Sequence, residues 1–320
     1  GLGDVYKRQP PTNHRPGRRQ SWQPYVLLTI APLCWAGNVV VARGIVDTFP
    51  PVGLAFWRWS LATIFLLPFA WKQAALDWKT VLVHWKMMLL LSITGTSVFN
   101  TLLYVSVQTT TAINAALIQT VMPAVIVIFS LLIFREKIRF GQLIGVAVSM
   151  AGAMVVIMRG HVSNVLHLAV VRGDLVMFLA IFFYALYSVF LKKRPAMHPL
   201  SFLLYIMAIG SLGLLPIYIW ESVGSSAAGL EPTFLFSILY FALFPSLVAY
   251  FCWNKGVELI GANRAGLFIN LIPVFASLMA VVWLQEALEW FHFAGLLLVF
   301  IGMVLFNRLY AYPQTRNDDD

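Results

Sequence analysis

The chain has 320 residues, of which 60% are hydrophobic and only 11% are charged, and its mean hydropathy is +0.81. A soluble domain carries about 25% charged residues, so this chain could not cover a water-facing surface, and intrinsic disorder is excluded because it requires low hydrophobicity. The net charge of +9 indicates basic loops rather than nucleic-acid binding. We therefore expect the lipid bilayer to be the solvent of this protein.

The apolar runs follow one another between two polar tails, at residues 1–23 and 309–320. A helix needs about 20 apolar residues to cross a bilayer, and on this basis we predict an all-α integral membrane protein with ten transmembrane helices. The predicted spans are Pro24–Ala42, Pro51–Trp71, Met87–Val107, Ala112–Phe134, Phe140–Met158, Gly173–Leu191, Leu200–Trp220, Phe234–Asn254, Ala265–Leu284 and Trp290–Phe306. Most of the connections are short, which favours antiparallel neighbours.

Lysine and arginine are distributed unevenly over these connections. If the N-terminus is cytoplasmic, all but four of the 22 lie in cytoplasmic tails and loops. The exceptions are Arg43, Arg159 and Arg172 on the other side and Arg58 within a span. Because cytoplasmic loops are enriched in positive residues, the sequence predicts a multi-pass protein of the inner (plasma) membrane with both termini in the cytoplasm.

The chain also contains an internal repeat. Residues 111–156 align with residues 261–306 at an offset of 150 without a gap, and an offset of 149 aligns earlier segments. Each half, residues 24–158 and residues 173–308, therefore holds five predicted helices, and residues 159–172 connect the halves. Because five is odd, the second half enters the membrane from the opposite side. Two inverted five-helix repeats are typical of secondary transporters.

Several motifs of these repeats resemble a known family. The first half contains WAGNVVVAR, FWRWSLA and a Pro-to-Glu segment from Pro123 to Glu136, and the second contains SLVAYFCWNKGVELIGANRAG and a segment from Pro273 to Glu286. Glycines follow both segments, at Gly141, Gly145, Gly152, Gly295 and Gly302, where we expect close helix packing. Over residues 25–308 the chain resembles EamA-type exporters of the drug/metabolite transporter superfamily. The resemblance implies a ten-helix fold and export of small metabolites, amino acids among them.

Polar residues that recur in both halves are candidates for a shared central cavity. Asn100 and Tyr104 belong to a stripe on the third predicted helix, and Tyr250 and Asn254 hold the equivalent positions on the eighth. The full stripes are Thr96, Asn100, Tyr104 and Gln108, and Ser246, Tyr250, Asn254 and Glu258. Because polar groups that face lipid are costly, this face should point inwards. It either lines a substrate cavity or makes helix–helix hydrogen bonds.

The first and sixth predicted helices add a second set of candidates. Trp35 and Asn38 on the first helix match Tyr184 and Tyr187 on the sixth. These side chains either contact a substrate ring or fill the core.

The fourth and ninth predicted helices carry polar residues just before a proline within the span. Gln119 lies four residues before Pro123, and Asn270 lies three residues before Pro273. A proline frees a backbone carbonyl about one turn earlier. The interruption either offers backbone groups to a ligand or only kinks the helix.

Three charged residues have alternative interpretations. Arg58 has Met207 as its counterpart in the second repeat. Its guanidinium could bind a substrate carboxylate. The alternative is a role without substrate, in which it snorkels outwards or forms a structural pair. Glu136 and Glu286 end the fourth and ninth predicted helices. They either cap the next helix or take part in gating or proton transfer.

No chemistry other than transport is indicated. The sequence has no G-x-x-x-x-G-K-[ST] loop, no metal-ligand cluster and no nucleophile–base arrangement, so we expect neither an enzyme nor a cofactor. We expect alternating-access export of a small metabolite, with amino acids, aromatic ones included, as the leading class. One alternative is exchange or import of another metabolite or drug; if that compound is phosphorylated, the cavity would need several cations. The other alternative is an integral-membrane enzyme or scaffold.

Overall fold

The computed structural model describes residues 22–45, 49–109, 115, 118–135, 140–157, 172–223, 231–284 and 290–310. Throughout these ranges the regular secondary structure is helical, as the sequence predicts. Glu136 and Glu286, most of both tails and most of the loop at residues 159–172 lie outside the described residues.

The described residues include ten long helical segments. In chain order, α1 is Gln23–Ile45, α2 Pro51–Val83, α3 Trp85–Thr109, α4 Met122–Phe134, α5 Phe140–Ile157, α6 Arg172–Phe190, α7 Pro199–Val223, α8 Pro232–Ile260, α9 residues 262–284 and α10 Trp290–Tyr310. Six of them, α1, α2, α3, α6, α7 and α8, are long and apolar enough to cross a membrane. Shorter apolar helices lie in the other four, so the count of ten crossings stays a prediction.

Two helices extend well beyond the predicted spans. α2 continues for twelve residues past Trp71 to Val83, and α8 continues past Asn254 to Ile260. The added segments combine charged residues with good helix formers such as alanine and leucine. Such residues end an apolar run without ending a helix, which explains the difference from the spans predicted by hydropathy.

Three helices contain a local change of helix type that the apolar pattern does not predict. π-helical turns occur at Ile93–Val98 in α3 and Ala242–Val248 in α8. These two turns occupy equivalent positions in the two repeats. A 3₁₀ segment at Leu267–Asn270 interrupts α9.

The two halves pack in a reciprocal manner. α1 of the first half packs on α8 and α9 of the second, and α6 of the second half packs on α3 and α4 of the first. α2 pairs with α7, and α5 pairs with α10. Each contact is therefore matched by its repeat-related contact, as expected for two repeats related by a pseudo-two-fold axis.

Glycines allow α5 and α10 to approach closely. A Cβ atom on Gly145 would lie 2.7 Å from the backbone nitrogen of Phe306, and one on Gly152 would lie 2.6 Å from that of Val299. Gly302 lies equally close to the backbone of α5. The predicted close-packing role of these three glycines is confirmed.

Candidate functional site

Arg58 of α2 lies at the centre of the helix bundle and is fully buried. Its Nε donates a hydrogen bond to Ser246 Oγ at 2.6 Å. Its Nη1 donates to Asn100 Oδ1 at 2.7 Å, Tyr104 Oη at 2.9 Å and Asn38 Oδ1 at 3.3 Å. We call Asn38, Arg58, Asn100, Tyr104 and Ser246 the Arg58 cluster. Because the side chain is fully buried, the prediction that it snorkels outwards is wrong. Its hydrogen bonds within the protein are compatible both with a structural role and with the clamp of a substrate carboxylate.

A backbone carbonyl completes the shell around Arg58. The Pro245 carbonyl oxygen accepts a hydrogen bond from Arg58 Nη2 at 2.9 Å and another from Trp35 Nε1 at 3.0 Å. In a regular α-helix the N–H of Ala249 would occupy this carbonyl, but in the π turn it bonds to Phe244 O and Ser246 O instead. The π turn therefore makes the Pro245 carbonyl available to side chains of the first half.

Repeat-related residues meet one another at the interface between the halves. Asn100 Nδ2 donates to Tyr250 Oη at 3.3 Å, and these two residues are counterparts at the offset of 150. The rings of Trp35 and Tyr184, also counterparts, lie 5.6 Å apart at their centroids. Residues at equivalent positions of the two repeats therefore contact one another where the halves meet.

Each repeat also contains one hydrogen-bonded tyrosine–asparagine pair. Tyr104 Oη donates to Asn38 Oδ1 at 3.1 Å in the first half, and Tyr187 Oη donates to Asn254 Oδ1 at 2.5 Å in the second. The pairs occupy equivalent positions with the residue types exchanged. The first pair binds Arg58. In the second half Met207 replaces the arginine, and Asn254 Nδ2 is buried without a hydrogen-bond partner among the described residues.

Aromatic side chains surround the Arg58 cluster. Five of them form what we call the aromatic cluster, with contacting ring centroids 5.4–6.2 Å apart: Trp35, Tyr184, Tyr187, Tyr250 and Trp253. The guanidinium carbon of Arg58 lies 4.6 Å from the centroid of Trp59, a cation–π distance. The Tyr184 hydroxyl has no hydrogen-bond partner within the described part of the chain.

Two cavities lie near these groups. A cavity of about 770 Å³ is lined by the buried Ser188 and Asn254 together with Lys192, Arg194 and Arg264. It opens at the end of the bundle where α6 and α8 finish and α9 begins, which we call the basic end. The second cavity lies beside the Arg58 cluster and measures only about 20 Å³, space for about one water molecule.

The structure brings together some of the predicted site residues and separates others. Asn38, Arg58, Asn100, Tyr104, Tyr184 and Tyr250 converge at the centre, and Gln119 lines the small cavity there. Asn254 lines the large cavity. Asn270 instead donates to Ser149 Oγ of α5 at 3.0 Å, away from the Arg58 cluster.

The two prolines mark interrupted helices. Pro123 is the second residue of α4, and Pro273 follows the 3₁₀ segment of α9 by three residues. Both therefore lie in the first turn after a change of backbone geometry, where a proline is tolerated because no intrahelical N–H is needed.

The sequence interpretation missed Trp59, Trp253 and the Pro245 carbonyl. Trp59 directly follows Arg58, so the adjacent aromatic could have indicated a cation–π contact. Trp253 lies three residues after Tyr250, on a neighbouring part of the same helix face. No residue pattern indicates the Pro245 carbonyl as an acceptor, because its availability depends on the π turn.

The family model and the sequence relatives agree on one class of protein. The family model of EamA-like transporters matches residues 22–158 and 171–308. The uncharacterized transporter YyaM of Bacillus subtilis (strain 168) is 26% identical over 294 residues, 91% of this chain and 95% of that protein. The probable terminal-alkyne amino-acid exporter of Streptantibioticus cattleyicolor is 25% identical, covering 88% of this chain and 92% of that protein. A crystal structure with 15% identity shares the fold, with a TM-score of 0.72 over 89% of this chain and 96% of that chain.

Proposed function

The chain belongs to the EamA-like transporter family and is therefore a membrane transporter rather than an enzyme. We propose that it exports a small metabolite with a carboxylate, namely an amino acid, by alternating access. The two halves would rock about the Arg58 cluster, which joins them. The proposed binding residues are Asn38, Arg58, Asn100, Tyr104, Gln119, Tyr184, Tyr250 and Asn254. Asn270, whose amide bonds to α5, would act only through helix packing.

The observation that carries this proposal is the chemistry around Arg58. Its partners are neutral oxygens, and no carboxylate contacts it among the described residues. A buried charge is expensive and is normally paired. A substrate carboxylate would supply the missing negative charge, and the planar guanidinium suits bidentate binding of a carboxylate.

The large cavity supports entry of substrate from one side of the membrane. At about 770 Å³ it lies within the range of about 300–1,000 Å³ that small-molecule pockets occupy. It opens at the basic end, which we place in the cytoplasm because positive residues are enriched there. Substrate would reach the Arg58 cluster from this side, and the small central cavity would have to widen to hold it. A binding site that is reached from one side and then closes is what alternating access requires.

Two observations favour amino acids among carboxylates. One relative carries the name of a probable amino-acid exporter. The aromatic cluster next to Arg58 offers an apolar surface for a side chain, aromatic rings included, at the distance where rings stack or meet edge to face. A phosphorylated substrate is less well supported at the Arg58 cluster, because Arg58 is the one cation described there. Lys192, Arg194 and Arg264 line the large cavity at the basic end instead.

Counterflow in proteoliposomes tests the proposal. Wild-type protein should accumulate at least one labelled amino acid from a panel, while sugar phosphates should not exchange. Arg58→Met, which copies Met207, should lower kcat/KM about 100-fold, since a charge-assisted pair of about 2.7 kcal/mol is lost. Arg58→Lys keeps the charge without the fork and should retain more activity than Arg58→Met. Wild-type exchange by folded Arg58→Met protein would refute the proposed role of Arg58.

A further inference from the structure

A repeated dipeptide lies where α2 ends and α3 begins. Trp71-Lys72, Trp78-Lys79 and Trp85-Lys86 are three Trp–Lys pairs spaced seven residues apart, which we call the Trp–Lys stripe. Seven residues make about two helical turns, so the first two pairs lie on the same face of α2. The third pair starts α3, directly after the single-residue turn at His84.

The length of α2 places this segment at the membrane surface. α2 has 33 residues, a contour of about 50 Å at 1.5 Å per residue, whereas the hydrocarbon core of a bilayer is about 30 Å thick. The final turns of α2 therefore extend past the core. They do so at the basic end, because Asp77 Oδ2 accepts a hydrogen bond from the backbone N–H of His198 at 3.0 Å, shortly after Arg194.

The opposite face of this segment is fixed to the protein. Ala74 and Val81 are buried, and Tyr205 Oη of α7 donates to the Ala74 carbonyl at 2.8 Å. On the other side Trp71, Trp78 and Trp85 are 61%, 52% and 54% exposed. The Trp–Lys stripe is thus exposed on one face of the helix, while the opposite face packs against α7.

The charge of the stripe is not neutralised by the described part of the protein. Lys72, Lys79 and Lys86 are exposed, and their one described contact is that of Lys86 Nζ with the Trp85 ring, 5.7 Å from its centroid. The segment's acid, Asp77, already bonds to His198.

The second repeat lacks an equivalent feature. Trp220 is the counterpart of Trp71, but Glu221 follows it, and its carboxylate accepts the backbone N–H groups of Val52 and Gly53. The stripe is therefore not a requirement of the shared scaffold.

We propose that the Trp–Lys stripe is a docking surface for the headgroups of anionic phospholipids in the leaflet at the basic end. Tryptophan rings favour the depth of the headgroups, and the exposed lysines supply the positive charge that anionic headgroups attract. Alternation of the two residue types lets each ring lie beside the glycerol region while the adjacent ammonium reaches a phosphate. A free phosphate would use the lysines alone, so the tryptophans point to a lipid.

Native mass spectrometry of the purified full-length protein tests this docking surface. The protein is offered an equimolar mixture of phosphatidylglycerol and phosphatidylcholine. One lysine near an anionic lipid surface changes the binding constant for that surface about fivefold. Lys72→Gln/Lys79→Gln/Lys86→Gln should therefore lower the preference for phosphatidylglycerol about tenfold or more, whereas the matched triple arginine variant should keep it. The triple tryptophan-to-leucine variant should weaken binding of both lipids.

Three outcomes would overturn the proposal. The first is an unchanged lipid preference in the triple glutamine variant. The second is loss of the preference in the arginine variant as well. The third is binding of glycerol 3-phosphate as tight as that of the lipid, which would identify a free-phosphate site instead. Because all six residues are exposed, the variants should fold, and unchanged thermal unfolding in detergent provides the control. Amino-acid counterflow is a separate measurement, so failure here leaves the transport proposal standing.

Discussion

At the level of single residues, the arginine that bridges the two halves dominates the energetics of the centre. Arg58 bonds to Asn38, Asn100 and Tyr104 of its own half and to Ser246 of the other. Each bond to a charged group contributes about 1.5–3 kcal/mol, but the buried charge costs several kcal/mol. A carboxylate added within this shell should therefore be stabilising, and it should also compete with a substrate carboxylate.

Asn38→Asp tests this argument. Asn38 Oδ1 already accepts hydrogen bonds from Arg58 and Tyr104, so the substitution supplies a charge without new geometry. We expect the unfolding temperature to rise by about 3 °C or more, because the buried guanidinium gains a counter-ion. Counterflow should fall about tenfold or more, because the substrate loses its partner. Thermal unfolding and counterflow on the same preparation measure both effects.

Asn254→Asp is the matched control. Asn254 forms the equivalent pair with Tyr187, but no cation contacts it among the described hydrogen bonds and ion pairs. The same chemical change should not raise the unfolding temperature, because no described cation is in contact with Asn254 to pair with the new carboxylate. Equal shifts in the two variants would contradict the electrostatic explanation.

The sequence predicts which residues lie at the centre of the bundle better than it predicts their hydrogen-bond partners. The repeat and the four-residue spacing identify Asn100, Tyr104 and Tyr250, because a buried polar face is costly to place anywhere but inside. Asn270 is predicted on a different ground, its position three residues before Pro273, and its side chain bonds to Ser149 of α5 instead. The position of the proline does not predict the 3₁₀ segment at Leu267–Asn270, which ends at this residue.

At the level of helices, backbone geometry decides which surfaces meet. The apolar runs predict where the helices lie, because crossing a bilayer requires a minimum length. They do not predict the π turns of α3 and α8, which arise from local hydrogen bonding. In α8, Pro245 cannot donate to the Phe241 carbonyl, and Ser246 Oγ donates to it instead at 2.7 Å.

Substitution of Gly145 tests the packing of α5 on α10. A methyl group at Gly145 would meet the Phe306 backbone at 2.7 Å, and a backbone cannot move aside as a side chain can. Gly145→Ala should therefore lower stability by about 1–3 kcal/mol, the usual cost of overpacking. The unfolding temperature in detergent should fall accordingly.

Gly213→Ala in α7 provides the comparison for this change. A Cβ atom there has no neighbour within 4 Å, so the variant should gain about 0.5–1 kcal/mol from helix propensity alone. If both glycine variants shifted stability in the same direction, close approach of α5 and α10 would not explain the result.

At the level of the whole molecule, two repeats with one sequence pattern adopt unequal environments. In the second-half pair, Asn254 lines the large cavity. In the first-half pair, Asn38 and Tyr104 are both hydrogen-bonded to Arg58. At the far end, Arg43 Nη1 donates to the Val107 carbonyl at 3.0 Å, closing α1 against α3. The repeated sequence predicts the two repeats. It cannot predict which repeat borders the open cavity, because the same sequence would serve if the other repeat did so.

Exchange of these environments would give the second state of alternating access. Val257 lines the open cavity, and its counterpart Val107 is fully buried at the closed end. In a background where Cys34 and Cys252, both buried, are replaced by serine, Val257→Cys should react with an impermeant thiol reagent added at the basic end. Val107→Cys should react only from the opposite side. A transported amino acid shifts the balance between the states only through its differential affinity for them, so it should change the two labelling rates in opposite directions. Rates that rise or fall together would mean that the repeats do not exchange roles, and a rocking mechanism about the Arg58 cluster would then be untenable.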